Sequence, residues 1–262
     1  MENWPNTHTK INFLIMGLLT ILFFAPAFAD EDTEEIIESV TIIGSAEDLR
    51  KLAGSGQVIS NDDLLKAMDT DIQKILTAVP GIYMRTEEGY GLRPNISIRG
   101  TAIERSAKVA IMEDGVLVAP SPYTSSSAYY FPTTGRIHSV EVLKGPAAVS
   151  QGPQTIGGAI NLISTPIPSS TSGKFIQELG ENGMMRTHAY YGGTSGNFGA
   201  LVEVHEHESD GFDSIANVGG DTGFDKSDFV FKARYESGAH SLTLKMVDLD
   251  ETSNQSYVGL SQ

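Results

Sequence analysis

The segment from Gly91 to Pro168 constrains the fold most, because it alternates short apolar runs with closely spaced glycine turns. It reads GLRPNISIRG, then KVAIMEDGVLVAPSPY, and later GRIHSVEVLKGPAAVSQGPQTIGGAINLISTPIP. Within the runs, apolar and polar residues alternate with the period of a β-strand that has one buried face. Glu113, Asp114 and Gly115 lie between two such runs and predict a tight hairpin turn. The segment therefore predicts a small sheet of short strands joined by long loops.

A helical pattern precedes this segment at residues 61–79. Ser60 and Asn61 suit a helix N-terminus, and the Pro-Gly pair at residues 80–81 ends the pattern. The polar residues 69–71 can divide it into two helices. The apolar positions spaced three and four apart are Leu64, Leu65, Met68, Ile72, Ile75, Leu76 and Val79. This part of the chain predicts helices that pack on the sheet, without chemistry of their own.

The N-terminus has the features of a secretory signal peptide. Lys10 precedes an apolar run at residues 11–24, and residues 27–29 read Ala-Phe-Ala, which is an A-x-A cleavage site. The run is shorter than the ~20 residues that a transmembrane helix requires. We expect residues 1–29 to be removed and the rest to be exported.

Charge and cysteine content exclude several classes of function. The chain carries 18 Lys and Arg against 33 Asp and Glu, a net charge of −15. This acidic balance excludes nucleic acid as a partner, since nucleic-acid binding requires a basic surface. The chain has no cysteine, so neither a disulfide framework nor a thiolate site is available.

The C-terminal part, from residue 174 onward, alternates apolar and polar residues over longer strands. Phe229, Phe231 and Tyr235 share one face of one such strand, and Lys232 and Arg234 share the other. A soluble sheet and a membrane-spanning sheet both show this alternation, so the pattern alone does not separate them. The candidate strands are Lys174–Leu179, Arg186–Tyr191, Asn197–Glu208, Asp228–Glu236 and Ser241–Asp248.

The order of motifs from the Ile-Arg-Gly at residues 98–100 to the Gly-Gly-Ala-Ile-Asn at residues 157–161 resembles the plug domain of TonB-dependent outer-membrane receptors. The detail is most similar to the ferric citrate-type branch, and the resemblance covers roughly residues 36–170. It implies an α+β plug, a small mixed sheet with short helices, followed by the first antiparallel strands of an incomplete 22-stranded transmembrane β-barrel.

The resemblance implies four regions. Residues 1–29 are the signal peptide, 30–46 the acidic N-terminus and TonB box, 47–170 the plug domain, and 171–262 the N-terminal strands of the barrel. Each crossing takes ~9–11 residues, so the last region supplies only about five or six strands. Because an open sheet cannot span a bilayer, we expect this chain to be part of a longer receptor.

The β-prone residues after the acidic stretch resemble a TonB box. An ordinary first strand is the alternative interpretation of the same residues. An extended segment with free backbone groups can add to the sheet of a partner through main-chain hydrogen bonds. The implied partner is TonB, which acts with ExbB–ExbD. The predicted box comprises Glu38, Ser39, Val40, Thr41, Ile42 and Ile43.

In receptors of this kind the ligand contacts plug loops that project outward. The arginines of those loops suit an anionic chelate such as ferric citrate, and the tyrosines supply amphipathic faces. The acidic Glu87, Glu88 and Glu104 oppose an anion. Cobalamin, nickel chelates and oligosaccharides therefore remain alternative ligands. The predicted ligand-binding residues are Arg93, Arg105, Tyr123, Tyr129 and Tyr130.

Two cations of the plug, Arg99 and Lys144, are the predicted partners of barrel carboxylates, since family members pair such cations with the wall. Arginine suits this role because its planar fork binds a carboxylate through paired hydrogen bonds. The glycines are interpreted as turns or points of close approach. They are Gly100, Gly115, Gly145, Gly152, Gly157 and Gly158.

Glu203, His205 and His207 share a face of one candidate strand and could form part of a metal site. No fourth ligand is identifiable, so a polar face toward the barrel interior is the favoured interpretation. No metal or other cofactor is expected, and iron enters only as part of a transported chelate.

The sequence thus predicts a non-enzymatic receptor in the Gram-negative outer membrane, in contact with its lipid. It would bind and import a ferric chelate by TonB-driven movement of the plug. The alternative is a soluble periplasmic plug module that binds TonB without transport.

Overall fold

The computed structural model describes residues 41–43, 54–67, 71–86, 90–118, 127, 130–213 and 220–254. These residues all belong to one unit, residues 35–262. The predicted signal peptide, residues 38–40 of the predicted TonB box, Tyr123 and Tyr129 lie outside the described residues. Among the described residues, no helix has the length and apolar character needed to cross a bilayer.

An N-terminal domain, residues 54–164, is built on a five-stranded sheet in the order β1-β6-β7-β4-β5. Strands β4 and β7 pair in parallel and the other neighbours pair antiparallel, so the sheet is mixed, as predicted. Strands β2 and β3 form a separate antiparallel pair. The strands are β1 (Ser55–Ile59), β2 (Ile82–Arg85), β3 (Asn95–Ile98), β4 (Val109–Glu113), β5 (Val116–Leu117), β6 (Ile137–Lys144) and β7 (Gly158–Ser164).

Two short helices, α1 (Asn61–Ala67) and α2 (Ile72–Thr77), replace the single helical pattern. The Ser60 hydroxyl caps α1 by accepting the Asp63 N–H at 3.2 Å. The Asp71 carboxylate caps α2 by accepting the Gln73 N–H at 2.8 Å. Because Asp71 provides a new N-cap, a second helix begins there.

Both apolar core clusters of the described residues lie within the N-terminal domain and the short segment 41–43. The larger of the two clusters joins α2 to β1, β3, β4, β6 and β7. The smaller cluster covers the other face of the sheet and includes Ile43 and Leu143. Among the described residues, neither cluster contains a side chain from beyond residue 162. The domain therefore has a core of its own.

The C-terminal sheet is a five-stranded antiparallel meander in the order β12-β11-β10-β9-β8. Most of its strands extend further than predicted. Residues 192–193, a Gly-Gly pair, would end a strand on propensity alone, yet β9 continues through them because β10 pairs with both. The strands are β8 (Ser172–Leu179), β9 (Met185–Ser195), β10 (Phe198–Ser209), β11 (Phe224–Ser237) and β12 (His240–Ser253).

In the C-terminal sheet many polar side chains are buried and most large apolar ones are exposed, although Leu201, Phe224 and Val230 are buried. On β11 the cations Lys226, Lys232 and Arg234 are buried, whereas Phe229 and Tyr235 are exposed. On β12 Leu242 is 71 % exposed, and Leu244 and Met246 are exposed beside it. This is the reverse of a water-soluble sheet, whose apolar face is normally the buried one. It is the arrangement expected of strands that face lipid on one side.

Replacing Gly158 with alanine should destabilise the N-terminal domain by about 2–3 kcal/mol. A Cβ at this position would lie 2.2 Å from the Leu143 carbonyl oxygen, and φ is +156°. Gly100→Ala is the matched control, since φ is +76° there but no described atom lies within 4 Å of an added Cβ. The control should lose only about 1 kcal/mol from backbone strain. The measurement is the urea concentration at which the domain becomes accessible to protease, compared between the two variants. Equal losses of stability would contradict the steric argument.

Candidate functional site

The two parts of the chain meet through a cluster of six charged side chains, four buried and two half-buried, which we call the interface cluster. Three are cationic and three are anionic, so their formal charges cancel. The N-terminal domain provides Arg136, Glu113 and Asp114, and the C-terminal sheet provides Asp228, Lys232 and Lys245.

Arg136 lies at the centre of the interface cluster. It ends a 3-10 turn at Thr134–Arg136, immediately before β6, and is 1 % exposed. Its Nη1 and Nη2 donate to the two carboxylate oxygens of Glu113, and its Nε donates to Asp228 Oδ1 at 3.2 Å. Burial alone would lower the pKa of Arg136, but Glu113 and Asp228 more than offset it and raise this pKa. The guanidinium thus bridges one carboxylate from each part of the chain.

The β4–β5 hairpin contacts the C-terminal sheet through Asp114. Lys245 Nζ donates to Asp114 Oδ2 at 2.6 Å and to Glu113 Oε1 at 2.5 Å. Lys232 Nζ lies 3.5 Å from Asp114 Oδ2 and donates to Ser164 Oγ at 2.6 Å. The hairpin is therefore held by two lysines from neighbouring strands of the C-terminal sheet, β11 and β12.

Acid should weaken this contact between pH 4 and pH 2. Burial alone would raise the pKa of Asp114, but Lys232 and Lys245 lower it from 3.8 to about 2. Because the folded-state pKa is the lower one, the contribution of Asp114 is complete above pH 4 and is lost as the pH falls through 2. A shift of this size corresponds to roughly 2 kcal/mol. The measurement is the urea concentration at which the protein becomes accessible to pepsin, taken at each pH in this range. This midpoint should fall less steeply with acid in Asp114→Asn than in the wild type. Identical profiles would contradict the assignment.

A second ionic contact joins the loop after β2 to the C-terminal sheet. Arg93 Nη2 lies 2.8 Å from Glu251 Oε1, and Lys226 Nζ lies 3.1 Å from Glu251 Oε2. Lys226 also donates to the Phe131 carbonyl oxygen at 3.3 Å. Near this contact the Tyr90 ring packs on Phe224, with ring centroids 4.5 Å apart.

The polar face of β10 carries Glu203, His205 and His207, all buried. Glu203 Oε1 accepts the Thr165 hydroxyl at 2.5 Å and lies 2.8 Å from His188 Nε2. Neither ring nitrogen of His205 has a hydrogen-bond partner among the described residues. These side chains form part of the polar face that covers the N-terminal domain, which is the interpretation that the sequence favoured.

Arg99 and Lys144, the predicted partners of barrel carboxylates, lie next to each other on the N-terminal domain. Arg99 is exposed, while Lys144 is buried and donates from Nζ to the Pro80 carbonyl oxygen at 3.0 Å. Burial and the nearby Arg99 lower the pKa of Lys144. Within the described parts of the chain, no carboxylate pairs with either cation, so their pairing with the wall stays a prediction.

The described ligand-binding candidates occupy three different environments. Arg93 is paired with Glu251, as above. Arg105 has φ +50°, and its backbone N–H donates to Asn95 Oδ1 at 2.8 Å. The Tyr130 hydroxyl accepts from Arg136 Nη2 at 3.2 Å and donates to Glu113 at 3.3 Å, at the edge of the interface cluster. These contacts do not test a ligand role, which stays a prediction for all three.

Most of the predicted turn glycines adopt conformations that other residues rarely take. Positive φ angles occur at Gly100, Gly115, Gly145, Gly152 and Gly158. Gly157 instead lies where a Cβ would approach Thr101 Oγ1 to 2.9 Å. At the end of the predicted TonB box, Ile42 and Ile43 lie against the sheet and bind Glu141.

Sequence reasoning missed the interface cluster. It placed Lys232 on a polar strand face and named Glu113 and Asp114 only as turn residues. It gave Arg136 no role. The one available signal was an arginine flanked by Gly135 and Ile137 directly before an apolar strand. That signal is weak, since an arginine at a turn is normally exposed.

In this structure a domain with its own apolar core contacts the polar face of a sheet through ion pairs, and the opposite face of that sheet is largely apolar. This defines the class of plugged β-barrel proteins. Residues 48–159 match the family model of the TonB-dependent Receptor Plug Domain. This segment is therefore a plug domain of the TonB-dependent receptor type, which confirms the resemblance seen in the sequence. The N-terminal domain is thus the plug, and we call the C-terminal sheet the wall.

Relatives of this chain include a transporter and an outer membrane virulence protein. The chain is 24 % identical over 229 residues to the vitamin B12 transporter BtuB of Photobacterium profundum, covering 80 % of this chain and 37 % of the relative. It is 31 % identical over 162 residues to the iron-regulated outer membrane virulence protein of Vibrio cholerae serotype O1, covering 59 % and 24 %. The chain therefore spans only about a quarter to two fifths of these relatives.

Solved structures share the fold. The unliganded ferric citrate transporter FecA superposes with a TM-score of 0.67 at 21 % identity, covering 84 % of this chain and 34 % of that one. The siderophore receptor PirA from Acinetobacter baumannii superposes with a TM-score of 0.61 at 20 % identity, covering 79 % and 33 %. At these identities the likeness concerns the fold alone.

Proposed function

We propose that this chain is the plug and the first wall strands of a TonB-dependent outer-membrane receptor that imports a ferric chelate of the ferric citrate or siderophore type. The observation that carries the proposal is the division of the fold. The plug has its own apolar core, ion pairs join it to the wall, and the wall turns most of its large apolar side chains outward.

An ionic contact suits a plug that must move. Exposing apolar core costs about 25 cal/mol per Å², whereas charged groups that separate can exchange their partners for water. Because the core clusters lie within the plug and segment 41–43, the plug can shift against the wall without unfolding. The interface cluster then sets which positions of the plug are stable.

In the proposed mechanism no bond is broken, so the protein is not an enzyme. The chelate binds outward loops of the plug, the TonB box is released into the periplasm, and TonB pairs with it. TonB, energised through ExbB–ExbD, then displaces the plug. Ligand binding can drive this only if the ligand binds the box-released state more tightly than the docked state.

Arg93, Arg105 and Tyr130, together with Tyr123 and Tyr129, are the proposed ligand contacts. The Arg93 guanidinium lies 2.8 Å from Glu251 Oε1. A chelate carboxylate would therefore compete with Glu251 for Arg93. Such competition would couple ligand binding to a contact between the plug and β12.

Cobalamin is the second candidate cargo, because a vitamin B12 transporter aligns with 80 % of the chain. A soluble periplasmic module is disfavoured by the wall. Leu242, Leu244 and Met246 would all face water in such a protein, and an exposed apolar row of this kind favours aggregation.

Uptake measurements test the proposal. The receptor is expressed from its own chromosomal reading frame in cells that lack other receptors for the same cargo. Radiolabelled ferric citrate should accumulate only when both this receptor and TonB are present. Uptake of radiolabelled cobalamin in place of ferric citrate would identify cobalamin as the cargo. Accumulation without TonB would contradict the mechanism.

A further inference from the structure

Residues 42 and 43, at the end of the predicted TonB box, are held on the plug by one buried carboxylate. The Ile42 N–H donates to Glu141 Oε2 at 2.7 Å, and the Ile43 N–H donates to Glu141 Oε1 at 3.2 Å. Glu141 is 1 % exposed and Ile43 is 6 % exposed. The Ile43 side chain packs in the smaller apolar cluster. Both oxygens of the carboxylate thus bind consecutive backbone donors of this segment.

Asn161 supports Glu141 from the next strand. Asn161 on β7 lies opposite Glu141 on β6 in the antiparallel register, and its Nδ2 donates to Glu141 Oε2 at 2.9 Å. At its other end, Asn161 Oδ1 accepts the Gly115 N–H at 2.9 Å. Asn161 is fully buried, so its amide is oriented by these two partners.

Gly115 is in the β4–β5 turn, next to Glu113 and Asp114 of the interface cluster. Those two carboxylates bind Lys245 of the wall. A continuous series of hydrogen bonds and ion pairs therefore runs across the plug. It connects residues 42–43, Glu141, Asn161, the β4–β5 turn and β12.

We propose that Glu141 and Asn161 form a latch that couples the docking of residues 42–43 to the position of the β4–β5 turn against the wall. The proposal rests on the proposed function only for the identity of residues 38–43 as the TonB-binding segment. Glu141 and Asn161 are positioning residues, since they hold the segment without contacting a ligand.

The physical reason for coupling is the shared amide. If the β4–β5 turn moves, the Gly115 N–H leaves Asn161 Oδ1, and the amide is no longer fixed from that end. Glu141 then loses a well-oriented donor. Loss of a donor to a buried carboxylate is unfavourable, so the Glu141 side chain is held less firmly in place and releases the N–H groups of Ile42 and Ile43 more readily.

Thiol labelling can test the latch because the chain has no cysteine of its own. Ile43→Cys places a thiol at a buried position, and Thr41→Cys places one at an exposed position. The measurement is the rate of maleimide modification of the intact receptor in outer-membrane vesicles, without ligand or TonB. The rate at position 43 is divided by the rate at position 41, which serves as the reference.

Glu141→Gln should raise this ratio at least tenfold, because the amide nitrogen would face a backbone N–H where an acceptor is needed. Asn161→Leu should raise it as well. Glu236→Gln is the matched control, since Glu236 is an exposed glutamate at the end of β11, and it should leave the ratio unchanged. An unchanged ratio in Glu141→Gln overturns the latch.

Lys245→Met tests the coupling. It removes one of the two lysine contacts between the β4–β5 turn and the wall. It should raise the labelling ratio at least threefold when Glu141 is present, but add nothing in Glu141→Gln. No effect of Lys245→Met, or an equal effect in both backgrounds, overturns the coupling. Since labelling requires neither cargo nor TonB, a failure here is separate from a failure of the uptake experiment.

Discussion

Replacing Arg136 with methionine is expected to weaken the association of plug and wall by about 3–5 kcal/mol. The change removes the cation that bridges Glu113 and Asp228, so the buried Asp228 loses its ion pair and Glu113 keeps only Lys245 as a cationic partner. Methionine fills a similar volume, so the loss reflects charge rather than a cavity. The measurement is the urea concentration at which the plug of the intact receptor becomes accessible to protease.

Arg85→Met is the matched control, because Arg85 forms an ion pair with Glu104 at the surface, where both side chains are exposed. Exposed pairs contribute little, so this variant should have nearly the wild-type midpoint. A second variant combines Arg136→Met with Glu113→Gln and Asp228→Asn. It should recover much of the loss, since neutral groups remove the uncompensated charges. Equal midpoints for Arg85→Met and Arg136→Met would show that the interface cluster does not hold the plug.

Replacing Val40 with proline should abolish uptake while leaving ligand binding unchanged. A strand that adds to a partner sheet must offer backbone N–H groups and an extended backbone, and proline supplies no N–H. Uptake should fall to the level of a TonB-deficient strain, measured with the radiolabelled cargo. Binding of the same cargo to isolated outer membranes should stay at the wild-type level.

Val40→Ala is the control for this substitution, because it shortens the side chain and keeps the N–H. It should retain most uptake. Ile42→Pro should also abolish uptake but is less informative, since the Ile42 N–H donates to Glu141 and proline would also disturb docking. Normal uptake by Val40→Pro would remove the TonB-box assignment.

Much of the plug follows from local sequence patterns. The Glu-Asp-Gly sequence at residues 113–115 forms the predicted turn, and the polar residues near Asp71 divide the helical pattern as expected. Strand lengths in the wall were underestimated. Pairing on both sides carries β9 through residues that local propensity disfavours, such as Gly192.

The candidate site was less accessible from sequence. The family motif predicts Arg99 and Lys144 as the interface cations. The cations of the described ion pairs between plug and wall are instead Arg93, Arg136, Lys232 and Lys245. A side chain at a turn carries no local sign of what will cover it. Its burial is decided when another part of the chain packs above it.

The sequence by itself determined the mixed sheet, the two short helices and the alternating faces of the wall strands, because these depend on spacings of two to four residues. Only the tertiary structure decided which face of the wall turned toward the plug, since a soluble sheet alternates in the same way. It also decided which carboxylates receive Arg136 and the Ile42 N–H. Those contacts join positions 92 and 99 residues apart, and no local periodicity reaches across such a distance.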